Sequence, residues 1–100
     1  MKETAEATDT AEAPKPIEGL TIGRIVHYVL DKPYSAGEPP TIRPAIVVHV
    51  WDRQTGSSNL QVIVDGTNDG YESSTGTVWK TSCNYSEGRE PGTWHWPPRV

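Results

Sequence analysis

The 100-residue chain has no phenylalanine, only three leucines and a single cysteine, Cys83. A lone cysteine excludes an intrachain disulfide, so the chain suits a reducing compartment or has no need of a bridge. No apolar run approaches the roughly 20 residues of a membrane-spanning helix, and the acidic N-terminus is the opposite of a basic signal-peptide start. A soluble, cytosolic protein is expected. Clustered lysine and arginine are missing too. The first 18 residues set five acids against Lys2 and Lys15, and so carry three of the four net negative charges. The remainder is close to neutral, which excludes a broad basic face for strong nonspecific nucleic-acid binding and leaves room only for a local basic pocket. Catalytic signatures are also lacking. There is no Gly-x-Ser-x-Gly elbow and no phosphate-cradling glycine loop, and neither Cys83 nor His27, His49 and His95 show zinc-ligand spacing. The chain therefore predicts a non-catalytic protein with no cofactor and no metal.

What is present divides the chain in two. Residues 1–18 are rich in Ala, Thr, Glu and Pro and hold one large aliphatic besides Met1, namely Ile17. Such a composition buries too little apolar surface to offset its ordering entropy, so a disordered acidic tail is expected. Residues 19–100 carry five strand-like segments: 23–30, 43–51, 59–65, 77–85 and 93–96. They are rich in β-branched and aromatic residues and are separated by Gly-, Pro-, Asp- and Ser-containing turns. No window of 11 residues after Gly19 keeps a helical period free of Pro or Gly. The fold expected is all-β: a small five-stranded barrel of SH3-like or OB-like form, or a curled sheet. Ile25, Val29, Ile46, Val48, Val50, Leu60, Val62, Val64 and Val78 are the expected core, supplemented by tryptophans. A core of about 80 residues is small, so a homo-oligomer is one expected assembly.

The richest functional signal is aromatic. Four Trp and four Tyr stand in a chain without Phe, and each ring has a polar tip that wants a partner. In the final segment, Trp94 and Trp96 should point to one face and His95 to the other. With Trp51, these residues are candidates for stacking on a planar ligand or a protein partner. Arg43, Arg53 and Arg99 are candidate contacts for an anionic group. In the loop 65–76, Asp65, Thr67, Asp69 and Gly70 fall on positions 1, 3, 5 and 6 of a calcium-loop template, but the twelfth position is Gly76 instead of Glu. A β-turn held by Asx hydrogen bonds is the expected form, with Asn68 and Asp69 as candidate polar contacts to a ligand.

Two resemblances add to this reading. The stretch "GRIVHYV…GE…RPAIVV" resembles the opening strand–loop–strand of the small-barrel mRNA-interferase toxins. That likeness implies an RNA-cleaving alternative in which Arg43 takes part, although the chain is short of that family's helical second half. Over residues 22–98, the strings "IGRIVHYVL", "RPAIVVHVW", "NLQVIVDGTNDG" and "PGTWHWPP" resemble a group of small bacteriophage and prophage proteins. This resemblance implies a viral accessory protein in the host cytoplasm or the virion, and supplies no functional residues. The combined expectation is an accessory protein that binds or sequesters a small, nucleotide-like ligand or a protein partner through its aromatic strand ends. A virion or assembly component is the second reading.

Overall fold

The computed structural model describes residues 15–31, 40–71 and 75–99. Residues 1–14 of the expected tail, and most of the "SAGEPPT" segment, lie outside them. Five strands form one antiparallel sheet: β1 (Ile25–Val29), β2 (Ile42–Asp52), β3 (Ser57–Ile63), β4 (Thr77–Cys83) and β5 (Trp94–His95). Their spatial order is β4-β3-β2-β1-β5, so β5 pairs with β1 at the end of the sheet opposite β4. All five strands fall inside the five segments expected from the sequence, give or take two residues at the ends.

The sheet curls without closing into a barrel. Register shifts in β2 at Val47/His49 and Val50/Asp52, and one opposite Ser58/Leu60 whose extra residue lies in β4, bend the strands, and Ser82 in that last bulge takes a positive φ of 54°. Such bulges sharpen the local twist. Among the described residues, a parallel bridge between Tyr85 and Trp94 joins the two edges. There the Trp94 amide donates to the Asn84 carbonyl, and the Ser86 amide donates to the Trp94 carbonyl, each at 2.9 Å.

The hollow of the curl holds the core. Val26 and Tyr28 of β1, Ala45 and Val47 of β2, Leu60 and Val62 of β3, and Trp94 of β5 are all buried there. Strand β3 follows its sequence alternation, with Leu60, Val62 and Val64 inward. Along most of β1 and β2 the phase is the opposite of the one expected. Ile25 and Val48 face outward and are exposed, Ile46 is half-buried, and their neighbours fill the interior. Val29, at the end of β1, is buried as expected, and Val50, beyond the first bulge, packs against the core. The reason for the reversal is physical: the runs "IVHYV" and "AIVVHV" are apolar at nearly every position, so they carry no period-2 signal to set the phase. The hairpin from β2 to β3 turns on Asp52, whose carboxylate accepts from the Gln54 amide at 2.8 Å. Gly56 closes that turn with φ +81°, and a Cβ there would stand 2.6 Å from the Tyr85 Cβ. Ile17 also packs against the core, and its amide donates to the Arg53 carbonyl at 2.9 Å. The ordered unit thus reaches back into the segment expected to be tail.

Candidate functional site

Strand β5 alternates as expected. Trp94 lies in the core with its indole N–H donating to the Gly56 carbonyl at 2.9 Å, and its ring meets Tyr85 edge-on at 5.0 Å. Trp96 follows on the same side, 5.1 Å from Trp94 and nearly perpendicular to it. The Arg24 guanidinium sits 5.0 Å from the Trp96 ring centre, held by a 3.1 Å hydrogen bond to the Gly19 carbonyl. A continuous ladder therefore runs from the interior (Tyr85, Trp94) to the surface (Trp96, Arg24). At its outer end is an open depression of about 480 Å³, lined by Glu18, Arg24, Ile25, Trp96, Pro97 and Arg99. Two guanidinium groups, one carboxylate, one indole and two apolar side chains meet there. A cation held over an aromatic face is attracted by the ring quadrupole, and arginine forks suit carboxylate and phosphate oxygens.

Other candidates from the sequence lie elsewhere. Arg43 forms a two-pronged pair with Asp69, its Nε and Nη2 each 2.7 Å from a carboxylate oxygen. Asp69 is fully buried and also accepts from the Asp65 amide at 2.7 Å. The loop closes as an Asx turn, with Asp65 accepting from the Thr67 and Asn68 amides and from the Asn68 side chain. Arg43 and Asp69 thus spend their polar groups on each other, and the pairing with a carboxylate raises the Arg43 pKa. Arg53 donates to the Leu20 carbonyl and pins the segment before β1. Trp51 is exposed on the outer face of the sheet, where His49 meets it edge-on at 4.3 Å and Asn59 accepts its indole N–H at 2.9 Å. Among the sequence candidates, only Trp96 and Arg99 line the depression. Arg24 and Glu18 join them and were missed by sequence reasoning, although Arg24 lies in the string "GRIV" that marks the first strand.

His95 projects to the opposite side from the two indoles and is fully buried, with both ring nitrogens lacking a hydrogen-bond partner. His27, its cross-strand neighbour, meets it edge-on at 5.8 Å. Burial, reinforced by the nearby Arg89, lowers the His95 pKa. Burial likewise pushes the Cys83 thiol up to about 11, which leaves it protonated and a poor nucleophile. A further polar cluster joins Asp31, Tyr71 and Lys80. Tyr71 donates its hydroxyl to Asp31, and Lys80 lies 3.0 Å from the same carboxylate. Burial raises the Asp31 carboxyl, but those two partners outweigh it and hold the group below its ordinary value. The cluster ties β4 to the end of β1, and the Lys80 ammonium sits 5.3 Å from the Tyr71 ring centre. Among the described residues, no group of three or more His, Cys, Asp or Glu is placed to hold a metal ion.

Comparison with family models, with curated proteins and with solved structures returns no match for this chain.

Proposed function

We propose that the protein is a non-catalytic, phage-type accessory binding protein whose ligand is a small anion carrying a planar ring, a nucleotide in class. The observation that carries this reading is the meeting of Arg24, Trp96 and Arg99 in one open depression. The indole offers a surface for a base, the two arginines offer charge-assisted hydrogen bonds to phosphate, and Glu18 offers an acceptor for an exocyclic amine. The depression falls within the size range of small-molecule sites. Arg24 is already positioned by the Gly19 carbonyl, so less of its side-chain freedom is lost on binding. The RNA-cleaving alternative has less support, because the arginine it relies on, Arg43, is engaged with a buried carboxylate.

The test is the melting temperature of the purified chain against mono-, di- and cyclic nucleotides. A ligand bound only by the native state adds about 2.7 kcal/mol at 100 times its Kd, so a specific binder should raise the melting temperature by several degrees. Trp96→Ala and Arg24→Gln should each abolish the rise. A cooperative melt that no nucleotide shifts at millimolar concentration rejects the reading.

A further inference from the structure

The convex face of the sheet bears a row of side chains set directly across four strands. Ile25 pairs with Ile46, Ile46 with Gln61, and Gln61 with Trp79. Ile25 is 49% exposed and Trp79 is 50% exposed, and Ile63 and Trp51 on the same face are exposed as well. A sheet buries its apolar faces against another layer, yet among the described residues no second sheet or helix lies over this one. The interior face is already filled by the core.

We propose that the layer covering this face is the same face of a second copy, packed about a two-fold axis to give a sheet-on-sheet homodimer. Three features select that occupant. The first is charge. The residues flanking the row, His27, Pro44, Asn59 and Thr77, include no Asp, Glu, Lys or Arg; among the described residues the formal charges lie around it, with Glu18, Arg24 and Arg99 in the depression beside Ile25, Arg89 near His95 and Asp52 at the hairpin. An uncharged face offers a charged partner nothing to pair with, and meets its own copy without like-charge repulsion even though the chain is net acidic. The second is area. The exposed fractions of Ile25, Val48, Trp51, Ile63 and Trp79 amount to roughly 500 Å², an apolar patch of the size that marks interaction sites and the larger part of what one partner contributes to a standard interface. The third is the pattern within the row. Large apolar groups stand at its ends and an amide near its centre, so a two-fold axis through the middle lays Trp79 of one protomer against Ile25 of its partner, and Gln61 against Ile46 of its partner. Tryptophan is among the residues enriched where interfaces concentrate their binding energy.

The test is the mass of the full chain by sedimentation equilibrium between 1 and 200 µM, for wild type, Trp79→Glu and Ile63→Glu. A dimer is expected for wild type, with its dissociation constant raised at least 100-fold by either substitution. Gln61→Cys should be joined chain to chain by a short bismaleimide, whose span suits two packed sheets about 10 Å apart, and Arg89→Cys, outside the face, should not. The cross-link keeps the question answerable if a glutamate variant fails to fold. A wild-type monomer at 200 µM overturns the proposal. So does a dimer that survives both glutamates, or one in which the Gln61→Cys variant does not cross-link, because another surface must then hold it.

Discussion

Replacing Arg43 with alanine should cost about 3 kcal/mol of stability, because it strands a buried carboxylate. Asp69 has no exposed surface, and its carboxylate accepts two hydrogen bonds from the Arg43 guanidinium and one from the Asp65 amide. Breaking a buried ion pair from one side typically costs about 3–5 kcal/mol, and the lower end applies here, since the Arg43 side chain is 26% exposed and water can reach the gap. Asp69→Ala should cost less, about 2 kcal/mol, because the abandoned guanidinium can turn to solvent while the Asp65 amide loses its acceptor. The double variant Arg43→Met/Asp69→Leu leaves no unpaired charge and should lose clearly less than the two single losses combined, with a coupling of about 2 kcal/mol. For a domain of this size each kcal/mol moves the melting temperature by about 4–8 °C, so Arg43→Ala should melt about 12 °C or more below wild type. Urea unfolding followed by tryptophan fluorescence reads all four proteins. If Arg43→Ala stays within about 0.5 kcal/mol of wild type, the pair is not structural, and the arginine returns as a candidate for meeting a ligand.

Two further perturbations probe the closure of the curl. Gly56→Ala places a Cβ against Tyr85 in a left-handed backbone conformation, and should cost about 2–4 kcal/mol from strain and overpacking together; a loss under about 1 kcal/mol in urea would contradict the close approach. His95, whose pKa burial lowers, resists protonation in the folded state, whereas an unfolded chain binds that proton below about pH 6.5. Its contribution to stability is therefore complete above that pH and falls as the solution is acidified. Measured from pH 7 to 5, the unfolding free energy of wild type should decline, and His95→Phe should flatten the decline. A wild-type profile already flat over that range rejects the assignment.

The sequence made some of this legible and hid the rest for identifiable reasons. Strand β3 could be read down to the direction of each side chain, because polar Asn59 and Gln61 interrupt its aliphatic residues and set the phase. The placement of Trp94 and Trp96 opposite His95 followed from period 2 alone and needed no tertiary information. The unbroken apolar runs of β1 and β2 gave no phase, and so the outward row that begins with Ile25 was invisible. Arg43 and Asp69 are 26 residues apart, and nothing local to either announces the other. Arg43 therefore stood among the ligand contacts until the fold brought it to a carboxylate. Arg24 went unnoticed for the converse reason: its importance comes from Trp96, far along the chain, across the β1–β5 end of the sheet.

The contact between β5 and β1 also bears on how the protein is made. Trp94 plugs the interior and is paired across the sheet with Tyr28, yet the ribosome delivers it long after the strand it docks on. Until residue 94 has cleared the exit tunnel, the hollow of the sheet has no plug and its aliphatic lining stays wet. The nascent chain therefore cannot secure its fold piece by piece, and closure waits on a contact of very long sequence separation, the kind that folds slowly. Translation leaves a window in which the aliphatic lining of the hollow stays open to solvent, and the window ends with the arrival of one indole.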